Sequence, residues 1–425
     1  MPGLLRGPFR GLPREVAVLT AISFTVALGY GIVAPAIPEF AREFGVSTAV
    51  AASVVSAFAL MRVVGALPAG RLVDRFGEHR VMAAGIAIVA VSSVLAGVSG
   101  SFWQLIVLRG AGGLGSAMFT VSAQTLLLVS VPADQRGRAS GLYSGGFLLG
   151  GISGPAAGGL VAAWSLRSPF IIYGVLLIVP GVIAAVRLPD AREKPVALAR
   201  PARSLTTFAR ALRSRAYRAA AAATFADGFA AMGVRSAIVP LFVRAVLHRS
   251  AVWTGIGFLA FAALNAVAVL PAGRAADVLG RRPVAVTGCA ATACGLLVLA
   301  FLPGLGGFLA GLAVAGFGSG LLDVAPAAMI GDMIAGPAGT PEFQGGTLVA
   351  SYQMAGDGGS VTGPVAAGYL VDVASYSSAF GVAAGVLGVA AVLGVFAPET
   401  RASPRTAPAG ADGHGAGVAG RRPAR

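Results

Sequence analysis

The chain has 425 residues, of which 56% are hydrophobic and only 12% charged, and its mean hydropathy is +0.81. Water cannot be the main solvent for such a composition. The net charge of +15 is dispersed among apolar runs with few aromatics beside it, which excludes the footprint of a nucleic-acid binder.

A bilayer's hydrocarbon core is about 30 Å thick, so each spanning helix needs roughly 20 mostly apolar residues. In chain order such runs lie near 16–38, 48–69, 81–99, 102–131, 139–163 and 168–187, and then near 219–243, 250–271, 284–302, 307–334, 346–371 and 376–397. These are helices 1 to 12. The first follows Arg6, Arg10 and Arg14, the charge order of a signal peptide, but it is too long for one and lacks an A-x-A site, so it reads as an uncleaved span. The expected organisation is a cytoplasmic N-terminal tail (1–15), a six-helix bundle (16–187), a cytoplasmic linker (188–218), a second bundle (219–397) and a disordered cytoplasmic tail (398–425).

Alternate connections differ in charge. The loops at 70–80, 132–138, 188–218, 273–283 and 335–346 together hold sixteen Lys and Arg, and the opposite loops hold four, Arg42, Arg167, Arg244 and Arg249. Basic loops stay in the cytoplasm, which puts both termini there. Within the linker, the basic stretch 208–218 suits either a surface helix on the anionic leaflet or a solvated connection. Arg outnumbers Lys 31 to 1, which suggests a GC-rich bacterial genome and hence a bacterial cytoplasmic membrane. Cys289 and Cys294 are five apart on one helix and point about 140° from each other, so they cannot pair.

The halves repeat. PAGRLVDRFGEHR at 68–80 matches PAGRAADVLGRRP at 271–283, an offset of 203 that also carries Gly113–Ser116 onto Gly316–Ser319. Gly150-x-x-x-Gly154-Pro155 matches Gly359-x-x-x-Gly363-Pro364. Three ordered matches on equivalent helices describe parallel repeats, whose binding site lies between them near mid-membrane.

These residues resemble the major facilitator superfamily from helix 1 through helix 12. Gly70, Asp74, Arg75 and Gly77 are similar to its signature between helices 2 and 3, and Gly273, Asp277, Gly280 and Arg281 to the second copy. The resemblance implies a segment that clamps the cytoplasmic side. Arg109 with Gly110 and Gly113 is similar to the helix 4 motif, whose arginine is implicated in proton coupling. Gly150, Gly154, Pro155, Gly158 and Gly159 resemble the helix 5 motif of the drug:proton antiporter branch, and ordinary close helix packing also accounts for such glycines.

The resemblance implies the twelve-helix, all-α fold and export of small amphipathic compounds, drugs or secondary metabolites, in exchange for protons. Proton-coupled uptake of a small organic solute is the alternative. The partners are the lipid bilayer, a small-molecule substrate and protons. No nucleic acid, metal or cofactor is expected, the energy source is a proton gradient, and the chain is read as a monomer. An enzyme is not expected, because His79, His248 and His414 lie in loops or the tail, with no nucleophile or metal cluster.

Ionisable residues at membrane depth are costly and mark function by default. Arg62, Arg109, Asp227, Arg235, Asp323 and Asp357 fall inside predicted helices. At 1.5 Å per residue, Asp227 lies about 12 to 14 Å from the cytoplasmic end, Asp323 about 14 to 17 Å and Asp357 about 17 Å. In the family fold helices 1, 4, 7 and 10 line the cavity, which implies Asp227, Asp323 and Arg109 there. Asp227 or Asp323 is the expected proton site, and Arg235 or Arg109 the expected partner of Asp323. Phe24, Tyr30, Phe119, Phe229, Met232 and Phe258 are candidate cargo contacts. The second signature keeps Arg281 where the first has Glu78, and Asp332 on helix 10 has Val129 as its counterpart. Asp332 is therefore expected to pair with Arg281 or Arg282, and Glu78 with Arg136 or Arg138.

Overall fold

The computed structural model describes residues 11–131, 135–187, 204–335 and 345–400. Most of the expected N-terminal tail, linker residues 188–203 and the expected tail beyond residue 400 lie outside them. Hydroxyl side chains start several helices. Ser47, Ser101, Ser214 and Ser375 each accept a hydrogen bond from the backbone N–H three residues on, at the head of helices 2, 4, 7 and 12.

Helix 1 is Arg14–Val33, followed after a turn by the short helix Ile37–Arg42. Helices 2 to 5 are Thr48–Phe76, Glu78–Gly97, Phe102–Ser130 and Arg136–Trp164. Helix 6 is Ser168–Leu176 continued by Ile178–Arg187. The linker forms one described helix, Ser204–Arg213. Helix 7 is composite, α-helical over Arg215–Gly228, π-helical over Phe229–Ile238 and α-helical again over Val239–Ala245. Helices 8 and 9 are Ala251–Leu279 and Arg281–Phe301. Helix 10 is Leu305–Leu322 and Ala325–Ala335, interrupted at Asp323 and Val324. Helices 11 and 12 are Gly345–Val373 and Tyr376–Val395. Eleven of these units are long and apolar enough to cross a membrane, and helix 11, 29 residues long, stands in the twelfth place.

Two boundaries differ from the sequence reading for a physical reason. Helices 2 and 8 do not stop before the signature but run through Pro68 and Pro271 to Phe76 and Leu279. A hydropathy window measures bilayer thickness, whereas a helix can continue into water once its hydrogen-bond ladder is established. The signature is thus two helical turns closed by a single glycine, Gly77 at φ +87° and Gly280 at φ +111°, where an L side chain would be strained.

Among the described residues the halves meet from mid-membrane to one end, which we call the outer end, away from the signature segments. At the head of helix 2 the Thr48 and Ala49 N–H groups donate to the two carboxylate oxygens of Asp372 at the end of helix 11, at 2.9 and 2.8 Å. Deeper, Ser56 Oγ donates to the Val361 carbonyl at 2.6 Å. Helices 5 and 8 cross at Gly159 and Gly255, where a Cβ on Gly159 would lie 2.9 Å from the Gly255 Cα. At the inner end the same faces come apart. Leu67 projects within about 20° of Ser56 around helix 2, and Met354 within about 20° of Val361 around helix 11. Leu67 is 80% exposed and Met354 64%. Faces that interlock at one end and stand bare at the other describe a molecule open toward its signature segments.

Asp372 is an anionic cap at a helix N-terminus that exists only while the outer end is shut. Such caps contribute about 0.5–2 kcal/mol, so Asp372→Ala should lower the outer-closed to outer-open ratio by about 2- to 30-fold. Spin-label distances across the outer ends measure that ratio, and an unchanged distribution would show that the cap does not hold the seam.

Candidate functional site

Helix 7 places Asp227 near the end of its first α-helical part, two residues before the winding loosens into the π-helix that carries Arg235. The wider winding changes the angle between the two residues that an α-helix would give. They form no ion pair among the described residues. Instead Asp227 Oδ1 accepts a hydrogen bond from Ser319 Oγ of helix 10 at 2.9 Å. One turn further along helix 10, at its interruption, Asp323 Oδ2 accepts from Asn265 Nδ2 of helix 8, also at 2.9 Å. The two carboxylates are therefore neighbours on adjoining helices, each held by a neutral donor. Asp227 is half-buried and Asp323 exposed. Asp227, Arg235, Phe261, Thr292 and Ser319 line a small cavity between helices 7, 8, 9 and 10.

The expected pairing of Asp323 with Arg235 or Arg109 is not what the structure contains. The Arg235 guanidinium lies 4.3 Å from the centre of the Phe261 ring, and that of Arg109 lies 4.5 Å from the centre of the Phe58 ring. An aromatic face attracts a cation through its quadrupole and needs no second buried charge. Arg109 is 2% exposed, and its Nε and Nη2 have no hydrogen-bond partner. The N-terminal half therefore holds a desolvated cation on a π face, and the C-terminal half holds the carboxylates. Arg62 and Asp357 join the halves directly, at 3.3 Å between Nη2 and Oδ1. Both are partly exposed, which keeps the value of the pair small.

Among the candidate cargo contacts, Phe119, Phe229 and Phe258 are buried in helix packing. Phe24 is half-buried, as are Tyr30 and Met232, which touch across the two halves, hydroxyl to sulfur at 3.8 Å.

The second signature copy is tied within its own half. Arg281 bonds to Asp277 one turn earlier, and its Nε lies 3.2 Å from Asp332 Oδ2. Glu399, just beyond helix 12, accepts from the Arg281 and Arg282 backbone N–H groups at 2.9 and 3.2 Å, and Thr400 Oγ1 donates to Asp332 at 3.0 Å. Sequence reading found the Asp332–Arg281 pair through the repeat but missed Glu399, for which the only signal is an acid opposite the start of a helix in space. In the first copy Asp74 and Arg75 are exposed. Glu78 shows no ion pair among the described residues, and the Arg136 side chain lies outside them.

The helix 5 motif is a packing device in this structure. Gly150, Gly154 and Gly158 lie against the helix 1 backbone at Phe24, Leu28 and Ile32, with no room for a Cβ. Gly359 and Gly363 lie in the same way against helix 7 at Phe225 and Phe229. Close packing alone therefore explains the glycine spacing in both halves.

The family profile described as Major Facilitator Superfamily matches residues 19–259 and again 220–424. The chain belongs to the major facilitator superfamily. That family consists of multi-pass membrane transporters and not of enzymes. It is similar to the quinolone resistance protein NorA of Staphylococcus aureus, 28% identical over 180 residues that cover 42% of this chain and 46% of that protein. It is also similar to multidrug resistance protein 2 of Bacillus subtilis, 29% identical over 174 residues covering 41% and 43%. The matched stretch thus spans less than half of either relative. A bacterial homolog of the human lysosomal transporter Spinster, solved inward-facing and occupied, superposes with a TM-score of 0.74 at 16% identity over 92% of this chain and 97% of that one. The nucleoside transporter NupG gives 0.73 at 14% identity over 90% and 99%. Both structures share the fold.

Asp332→Asn would weaken hydrogen bonds from Arg281 and Thr400 together. Bonds to a charged group contribute about 1.5–3 kcal/mol each before losses are shared, so a drop in unfolding free energy of that order is expected. It is measurable as a lowered Tm, and Asp277→Asn, at an exposed position, should cost less.

Proposed function

We propose that this protein exports small amphipathic compounds in exchange for protons by alternating access, with Asp227 and Asp323 as the proton-exchanging pair. One observation carries the reading: two neighbouring carboxylates at membrane depth are held by Ser319 and Asn265 and not by a cation. A carboxylate balanced by a buried arginine strands that arginine when it takes up a proton. A carboxylate held by neutral donors does not. Arg109 and Arg235 rest on aromatic rings and form no ion pair with the aspartates among the described residues, so protonation and release at the aspartates break no direct salt bridge.

The cycle follows from the geometry. In the inward-open form the exposed Asp323 meets water, and cargo enters between the splayed faces that include Leu67 and Met354. When the inner faces meet and the outer seam parts, the same groups meet the other side. Export is supported by the resemblance of part of the chain to two drug-resistance proteins. The basic connections support a bacterial cytoplasmic membrane with both termini inside. A single chain has the complete site in this reading, so the transporter works as a monomer, with a proton gradient and no cofactor.

In inverted vesicles with an acidified interior, the intact protein should accumulate an amphipathic cation such as ethidium. Asp227→Asn and Asp323→Asn should each reduce the gradient-driven rate by at least about tenfold, as loss of a coupling group requires. Accumulation driven by the opposite proton gradient would instead establish uptake. Gradient-driven export that survives the double substitution would remove these carboxylates from the mechanism.

A further inference from the structure

Besides Asp372, which caps helix 2, the outer seam contains a second acid that the proton chemistry described above leaves unused. Glu39 lies on the short helix Ile37–Arg42, between the end of helix 1 and the head of helix 2. It is 8% exposed, and its Oε1 is buried without a hydrogen-bond partner. The short helix packs against the head of helix 2, and also against the π-helical segment and outer end of helix 7 in the opposite half. Glu39 is thus enclosed at the junction of the two halves, where they touch only while the outer side is shut.

We propose that Glu39 is a further proton-binding site, loaded from the outer medium, whose protonation latches the outer face closed. A buried carboxyl with an unsatisfied oxygen is tolerated neutral and penalised ionised, and parting of the halves would return it to water. A proton that binds the closed state more tightly than the open one must favour closure, by reciprocity of linkage. Outer acidity would then drive the transporter toward the inward-open form, the direction in which incoming protons are delivered. Glu39 would serve the exchange proposed above, though its titration is measurable whether or not that exchange operates.

The surrounding charges fit this role. On its own helix stand Arg42, whose guanidinium turns to the Val46 carbonyl, and Glu43. From helix 7 comes Arg244, which is exposed, with His248 exposed one turn beyond. The π-helical segment contributes Arg235, already turned onto Phe261. Helix 2 brings no ionisable side chain before Arg62, and its first turn is capped by Asp372. Arg167, at the start of helix 6, lies 5.0 Å over the Phe40 ring. Burial pushes the Glu39 carboxyl up to about 7, against the pull of the Arg244 charge and with a smaller push from Glu43.

The sign follows from the raised value. Protonation favours closure fully below the ordinary carboxyl range, the advantage falls as pH rises, and none is left above about 7. The test uses the full chain with Cys289→Ala and Cys294→Ala, and spin labels at Gly100→Cys and Gly304→Cys, on the outer connections of the two halves. Distances are measured between pH 5 and 8. The outer-closed to outer-open ratio should fall with rising pH, by up to about tenfold per unit, and level off near 7. Glu39→Gln, which mimics the protonated acid, should stay closed and lose that slope, whereas Arg244→Gln should keep the slope and carry it to higher pH. Asp227→Asn with Asp323→Asn should leave the outer titration in place, which separates this site from the central pair. The proposal is overturned if Glu39→Gln keeps the parent slope, or if closure increases with pH, as an ionised Glu39 paired to Arg244 would require.

Discussion

Inside a bilayer no water is at hand to satisfy a charge, so each ionisable group must find a partner in the protein or open onto an aqueous space. Most of what distinguishes this molecule follows from how its six intramembrane charges meet that condition. Arg109 and Arg235 use aromatic faces, Asp227 and Asp323 use neutral hydrogen-bond donors, and Arg62 and Asp357 use each other. The three solutions respond differently to a proton. Only the neutral-donor solution leaves a carboxyl free to gain or lose one without breaking a direct salt bridge. The central carboxylates belong to the C-terminal half, and the N-terminal half contributes the Arg109 cation. Arg235 on the Phe261 face also belongs to the C-terminal half, so the central acids are confined to one half and the ring-held cations are shared by both.

The same condition governs the seam between the halves. Backbone approaches as close as that of Gly159 to Gly255 leave no space for water, so the outer end is sealed by main chain and small residues. Of the polar groups there, Asp372 is paired with the head of helix 2, and Glu39 keeps one buried oxygen without a hydrogen-bond partner. Seam contacts of this kind form together or not at all. A seam held by backbone packing and one anionic cap opens as a unit, which is the behaviour that alternating access between rigid bundles requires.

Much of the architecture was legible in the sequence because it rests on length and periodicity. The apolar runs mark the spans, the 203-residue offset marks the repeat, and the shared presence of Arg281 and Asp332 in one half led to a pair that the structure contains. Other features depend on geometry that no hydropathy window carries. Helices 2 and 8 outrun their apolar segments because the backbone ladder does not end where the bilayer does. The π-helical turn of helix 7 and the break in helix 10 reorient Asp227 and Asp323 without a matching change in composition. Arg235 and Arg109 looked like partners for acids because charge is visible in a sequence and the face of a phenylalanine is not. Glu39 and Glu399 fall just outside the predicted spans, and burial against another half and the capping of another helix are properties of the folded chain alone.

The two signature copies show how an inherited repeat can take on unequal tasks. In the C-terminal half, Arg281, Asp277, Asp332, Glu399 and Thr400 form one network, so that helices 8, 9 and 10 and the segment after helix 12 are bound together. Those groups are engaged within their own half and have little left to offer across the membrane's inner face. The N-terminal copy has lost the acid and the base that would build the same network, with Val129 and Glu78 in their places, and its Asp74 and Arg75 are exposed. A group already satisfied cannot also act as a clamp without first breaking a bond, whereas an exposed one loses only its hydration. If the inner side closes through a signature segment, the energetics favour the copy whose Asp74 and Arg75 are exposed in the open state.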